Sequence, residues 1–476
     1  MNKVANIAKN TSYLTLALII QKFISFFYFI LLARFLGLHA LGQYYTAISF
    51  TTVFAILIDC GFNNVLIREV AKDQSKASDW LQSVLSIKLW LALGTFIFAL
   101  IVASFAYDQT LFVLIIVSAC SMVLDAFTST FFSVARGFHN LKYESIASVV
   151  FQLIVLIFGY LALLASWPLW LLLSALVAAS LFNFTYSAFI IKRQFKLTIR
   201  PRWDAAKVKR IFLISWPFAL YNALQRLFTY LDSLLLGFIA GYAQVGLYQI
   251  AFKLIFALQF LPMAFTASLY PAMSTYWQDN REQLRISFER AINYLIIISL
   301  PIIFGVFALA DKIVPIFKAG PEAIWPLRLS IVALFFIFLN FPVGSLLNAC
   351  DRQRRNTANM AIATVISVAI NLFLIPRWGA LGASFTVLFS NALMLSLGAW
   401  SMRGLIVYRP RQNFKILWRS FLAAALMAVI IWQGKAYIHV FLAIAGGGVV
   451  YFLALMALGA LKKADINSVI NSFRRS

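Results

Sequence analysis

Apolar runs of about 20 residues follow one another along the whole chain, separated by short polar connections. That is the length an α-helix needs to cross a ~30 Å hydrocarbon core at 1.5 Å per residue. The pattern predicts fourteen such segments: 11–36, 41–59, 80–106, 111–135, 146–165, 168–191, 211–236, 245–273, 291–310, 326–349, 357–376, 380–402, 416–433 and 438–461. The fold class expected is therefore an all-α polytopic membrane protein. Composition agrees, with 62% hydrophobic and 12% charged residues in 476 and a mean hydropathy of +0.87. Soluble domains carry roughly 25% charged residues.

Charge adds the orientation. The net charge is +24, which by itself suggests a polyanionic partner, but placement excludes nucleic acid. Thirty lysines and arginines lie in alternate connections and at the two ends, from Lys3 and Lys9 through Lys192–Arg210 to Arg474 and Arg475. The opposite connections hold only Lys312, Lys318, Arg377 and Lys435, with Arg34 at their margin. This asymmetry predicts a cytoplasmic-membrane protein with both termini in the cytoplasm. The first apolar run is too long for a cleaved signal and is expected to remain as a helix. Every outer connection is short, so chemistry on that face falls to the membrane helices. On the inner face, the linker 192–210 reads as a basic stretch lying against anionic headgroups, and 276–290 suits a short amphipathic helix. Cys60, Cys120 and Cys350 have no metal-ligand spacing and are expected to form no disulfide.

The chain also writes one stretch twice. Gln21–Ala47 matches Gln225–Ala251 without a gap at an offset of 204 residues, with Gln21/Gln225, Leu31/Leu235, Leu32/Leu236, Gly37/Gly241, Gly42/Gly246, Tyr44/Tyr248 and Ala47/Ala251 identical. Lys22 and Arg226 keep a cation at the equivalent position. The second copy begins at segment seven, so each repeat holds six spans and both enter the membrane in the same direction. That predicts two pseudo-symmetric six-helix lobes with a site near midplane. The expected organisation is a lobe at 1–191, the linker at 192–210, a lobe at 211–402, and at 403–476 a helix pair with a basic cytoplasmic tail. Gly37, Gly42, Gly241 and Gly246 are expected to bound tight turns between paired helices.

Three stretches carry a family resemblance: LARFLGLHALGQYYTAISFTTVFAILIDCGFNNVLIREVAKD (31–73), GLYQIAFKLIFALQFLPMAFTASLYPAMS (246–274) and NLFLIPRWGALGASFTVLFSN (371–391). In this order, and with the two-half plan, they resemble the polysaccharide transporter (Wzx-type oligosaccharide flippase) family of the multidrug/oligosaccharidyl-lipid/polysaccharide flippase superfamily. The resemblance implies a V-shaped pair of lobes around a central cavity. It implies movement of an isoprenoid-pyrophosphate-linked oligosaccharide between leaflets by alternating access, with glycan polymerase or assembly proteins and anionic membrane lipids as further partners.

A dianionic pyrophosphate crossing hydrocarbon needs cations on its path. Lys22 and Arg226 lie too deep in segments one and seven to snorkel easily, so they are the leading substrate-binding candidates, Arg226 by bidentate contact and Lys22 as a point charge. Their neighbours Gln21 and Gln225 join them, as does Lys253. Lys88, at a similar depth in segment three, is a weaker candidate for the cavity because its side chain can reach an interface. Arg34 and Arg328 read as interfacial anchors. Asp125 and Asp232 are expected to be buried acids, either salt-bridged to one of these cations or coupling transport to H+ or Na+. In sodium-linked relatives an acid on helix seven and polar groups on helices eleven and twelve form the ion site, which the resemblance carries to Asp232 and Asn371, with Thr386 a further candidate. Asp59 reads as a helix-end contact. No nucleotide-binding loop, HExxH motif or nucleophile constellation is present, so neither an enzyme nor an ATP-driven pump is expected, and no cofactor. The competing readings are a cation-coupled multidrug exporter, which would favour an acidic cavity, and a membrane glycan polymerase, which would need a large outer loop.

Overall fold

The computed structural model describes residues 2–406 and 410–459. Arg409 and the expected basic tail from 460 onward lie outside the described residues. Every regular element among those described is helical. The helices are α1 (Asn2–Asp59), α2 (Phe62–Lys72), α3 (Ala77–Ala106), α4 (Gln109–Gly137), α5 (Lys142–Leu164), α6 (Leu169–Arg193), α7 (Ala205–Ala240), α8 (Tyr242–Leu258), α9 (Phe260–Asp279), α10 (Arg281–Ile313), α11 (Ile324–Ala349), α12 (Gln353–Ser401), α13 (Pro410–Gly434) and α14 (Val440–Ala457).

Among the described residues, twelve helical stretches are long and apolar enough to cross a membrane. Two of them, Tyr13–Asp59 with 47 residues and Gln353–Ser401 with 49, would run about 70 Å if straight, more than twice the hydrocarbon thickness. Both are broken by glycine, Gly37 in α1 (φ 73°, ψ 167°) and Gly379 in α12 (φ 52°, ψ −128°). Each therefore holds two spanning segments, and the fourteen expected segments are all present. α8 and α9 together make one span, Tyr242–Asp279.

The chain forms two compact units, Met1–Gln249 with Asn371–Ala380, and Ile250–Ile370 with Leu381–Ser476. In the first, α7 packs along the second part of α1. The contact begins at the repeated glycines. Gly37 and Gly241 adopt nearly the same conformation, φ 73°, ψ 167° and φ 86°, ψ 167°, which a side chain would strain. Just beyond them, a Cβ on Gly42 would fall 1.7 Å from the Tyr242 carbonyl oxygen, and one on Gly246 would fall 2.1 Å from that of Leu38. Leu38 and Tyr242 are themselves repeat equivalents, so the seam between α1 and α8 is reciprocal. In the second unit α13 packs on α10, joined by the Lys435–Asp311 ion pair (2.8 Å) near one end and by Asn413 donating to the Glu289 carbonyl (3.4 Å) near the other. α14 follows, its Tyr451 hydroxyl donating to the Ile297 carbonyl (2.8 Å).

Two connections differ from expectation. Residues 276–290 form no separate amphipathic helix. Asn280 ends α9 and caps α10, accepting from the Gln283 amide (3.0 Å), and Arg281–Arg290 is simply the first part of α10, with Leu284 and Phe288 buried. Conversely, α2 occupies what reads as a charged loop. Phe62, Val65, Leu66 and Val70 are fully buried on one face, at the i, i+3, i+4, i+8 spacing that marks an amphipathic helix.

Candidate functional site

The repeated register places two helix pairs in the same geometry and fills them differently. In the first copy, Tyr44 lies beside Tyr28, and Phe29 meets Tyr45 edge-on with ring centroids 5.7 Å apart. Adding 204 to each number gives the second copy, where Tyr248 donates to the Asp232 carboxylate (3.4 Å) and the Gln249 amide donates to the Ser233 hydroxyl (3.1 Å). An aromatic cluster has become a polar one. Asn371 completes it, its Nδ2 donating to Asp232 Oδ1 at 2.5 Å. Asp232, Ser233, Tyr248, Gln249 and Asn371 are all buried.

Around this stretch of α7 several buried oxygens accept nothing: Asn371 Oδ1, Gln249 Oε1 and the Thr46 hydroxyl, which faces Gly237 one turn along. Buried polar atoms left unsatisfied are costly and uncommon. A carboxylate with amide and hydroxyl oxygens nearby is a donor set suited to a proton or a small hard cation. No group of three or more His, Cys, Asp and Glu side chains gathers among the described residues, so a multi-carboxylate divalent site does not fit. Of the sequence-derived ion candidates, Asp232 and Asn371 are thus in direct contact. Thr386 belongs to the other compact unit, where its hydroxyl donates to the Gly382 carbonyl (3.0 Å).

Asp125 differs from expectation in both respects. It is exposed rather than buried, and its carboxylate accepts from the Ser121 hydroxyl (3.4 Å) with no cation paired to it among the described residues. Ser121 in turn shares a hydrogen bond with Ser180 of α6 (2.7 Å).

The deep cations divide. Lys88 does not reach an interface. It is fully buried, with Nζ bound to Asp59 Oδ1 (3.2 Å), Asn63 Oδ1 (3.0 Å) and the Ala126 carbonyl (3.2 Å). Its three donors are used, so it holds the α1–α2 corner and is not free for a substrate. Arg226 is half-buried, and Nη1 donates to the Thr52 carbonyl (3.2 Å) across the α1–α7 contact. The rest of its guanidinium fork keeps further N–H donors. Gln225 beside it is exposed, while Lys22 and Gln21 are half-buried on α1. Lys253 is half-buried on α8, in the other unit. Arg328 lies near the start of α11, its guanidinium over the Phe307 and Trp325 rings at 5.1 and 5.2 Å, as an interfacial anchor would.

Comparison with known proteins follows the same lines. The family profile described as "Polysaccharide biosynthesis protein" matches residues 7–277, and the MatE profile matches 217–376. The capsular polysaccharide biosynthesis protein CapF of Staphylococcus aureus is 21% identical over 81% of this chain and 97% of its own length. The probable flippase AglR of Haloferax volcanii is 24% identical over 55% of this chain and 57% of its own. Among solved structures, the lipid II flippase MurJ in an inward closed conformation superimposes with a TM-score of 0.75 at 13% identity, covering 94% of this chain and 98% of that one. An outward-facing multidrug-resistance MATE transporter gives 0.62 at 14% identity, covering 85% and 98%. A many-helix membrane fold, a reciprocal repeat seam and these matches lead to one placement: the chain belongs to the polysaccharide biosynthesis protein family, within the multidrug/oligosaccharidyl-lipid/polysaccharide flippase superfamily.

Proposed function

We propose that this protein flips isoprenoid-pyrophosphate-linked oligosaccharide repeat units across the cytoplasmic membrane, for polysaccharide of the O-antigen or capsule type, by alternating access. The observation that carries this reading is the pair of deep cations, Lys22 and Arg226, at equivalent positions of the two repeats in a member of this family. A pyrophosphate is a dianion that must leave water, and cations placed along its path offset that cost. Arg226 would turn its unused N–H groups to the phosphates while its Nη1 stays on Thr52. Lys22 would bind as a point charge, and Gln21, Gln225 and Lys253 would supply further polar contacts.

Asp232 and Asn371 form the coupling site in this reading, taking H+ or Na+ on each cycle. Asp125 would be a second acid for the same coupling. Binding at Asp232 would alter the packing of α7 against α8, and so favour one arrangement of the transporter over another; a ligand shifts such an equilibrium only by its differential affinity. Multidrug export is the second reading, supported by the MatE match over 217–376. The sign of the deep charges favours an anionic cargo.

The test is the sidedness of the lipid-linked glycan. With the gene deleted, glycan reachable by a membrane-impermeant glycosidase from outside is expected to fall while lipid-linked glycan accumulates inside. Lys22→Ala/Arg226→Ala is expected to reproduce the deletion at normal protein level. If the double variant restores normal sidedness, the cation pair is not the binding site. Unchanged sidedness in the deletion, together with restored drug efflux on complementation, would establish the second reading instead.

A further inference from the structure

The linker between α6 and α7 is not a loose tether. From Phe195 to Arg200 the side chains alternate, with Phe195, Leu197 and Ile199 turned inward and Lys196, Thr198 and Arg200 exposed. The inward three pack against the buried cluster of α2, α3 and the start of α7 that includes Phe62, Leu66, Trp80 and Val208. The backbone is fastened as well. The Thr198 amide donates to the Ser78 hydroxyl (3.2 Å), and the Arg202 amide donates to the Gln82 carbonyl (3.2 Å). The segment is thus an extended strap across the end of α3, with one apolar side and one cationic side.

The cationic side is uncompensated. Arg193, Lys196, Arg200, Arg202, Lys209 and Arg210 are all exposed, and none is ion-paired with an acid of the described residues. The acids within reach are already engaged. Asp79 pairs with Lys207 (3.2 Å), and Asp204 caps α7 by accepting from the Ala206 and Lys207 amides (3.1 and 3.2 Å). Large apolar side chains stand exposed immediately beside these cations: Trp203 at 58%, Leu213 at 72% and Trp216 at 69%. Exposed tryptophans next to a basic stretch mark the level at which hydrocarbon meets headgroups. A fixed row of cations at that level faces phosphate.

We propose that the outward face of this strap is a binding site for the phosphate headgroups of anionic phospholipids in the adjoining leaflet. The strap runs directly into α7, which carries Arg226 and Asp232, so headgroup binding steadies the entry to that helix. This site is independent of which cargo the protein moves.

Thermal unfolding of the purified protein in neutral detergent tests the proposal. Dioleoyl-phosphatidylglycerol is expected to raise Tm, whereas dioleoyl-phosphatidylcholine and inorganic phosphate at equal concentration are not. In Lys196→Gln/Arg200→Gln/Arg202→Gln, apparent affinity for the anionic lipid should fall about a hundred-fold, roughly five-fold for each cation removed. The inward residues are untouched, so Tm in phosphatidylcholine should match the wild type. Arg352→Gln/Arg354→Gln/Arg355→Gln, which removes equal charge elsewhere, should retain the response. Equal losses in both triple variants would mean a diffuse positive field with no site. A response to inorganic phosphate would mean a soluble-anion site, and equal shifts from the two lipids would sink the idea. Wild-type protein gives a further check, since 0.5 M salt should weaken the lipid response at exposed charges.

Discussion

At the scale of single residues, the clearest case is a charge whose donors are all used. Lys88 spends all three N–H donors on Asp59, Asn63 and the Ala126 carbonyl in a fully buried position. Lys88→Met leaves a carboxylate and an amide oxygen without their partner, at a cost of about 3–5 kcal/mol. Unfolding in mixed detergent micelles should register that loss, and adding Asp59→Asn should recover part of it. If the single variant is as stable as the wild type, the network is not structural. Asp232 is engaged as well, accepting from Tyr248 (3.4 Å) and Asn371 (2.5 Å). Asp232→Asn keeps size but removes the charge and turns one acceptor oxygen into a donor, so transport should survive in part while its dependence on external pH or Na+ flattens. A wild-type ion dependence in that variant would move the coupling site elsewhere. The sequence shows that these groups are charged and deep. It does not show which already have partners, because Lys88 lies 29 and 25 residues from Asp59 and Asn63 and meets them only through the α1–α2 corner.

At the scale of elements, the spanning helices were legible because hydrocarbon enforces a length and a polarity on each of them. All fourteen segments followed from apolar runs, including the two pairs that glycine joins into single long helices. The amphipathic α2 does not stand out in the sequence, although Phe62, Val65, Leu66 and Val70 carry its spacing, because two cations and the break at Cys60-Gly61 read as a loop. The strap between α6 and α7 was legible only in its charge. Its alternation is too short to stand out, and what makes it ordered is a hydrophobic cluster assembled from other helices. The seam of Gly42 and Gly246 makes the sharpest prediction at this scale. In a background lacking Cys60, Cys120 and Cys350, Thr46→Cys, whose parent side chain is fully buried, should resist a membrane-impermeant maleimide. Adding Gly42→Val places side-chain atoms where the Tyr242 carbonyl now sits, forces α1 and α8 apart and should make the cysteine reactive. Continued protection would mean that the seam does not control access to this region.

At the scale of the whole molecule, the two copies have diverged in purpose while keeping one geometry. The 28/44 and 29/45 contacts are aromatic, the 232/248 and 233/249 contacts polar. A repeated framework thus carries a chemically distinct second copy, and the coupling proposed above enters through that copy. The reciprocal seam falls within the stretch where the two copies match without a gap. Where two side chains touch, a change in one is tolerated through a matching change in the other, and ancestral likeness fades. Gly42 and Gly246 each press on a main-chain carbonyl, which no substitution can trim. A side chain added at either position meets backbone, and no change in a facing side chain makes room for it. The repeat is thus legible where backbone meets backbone, and the contact that shapes this unit is one that the sequence writes twice.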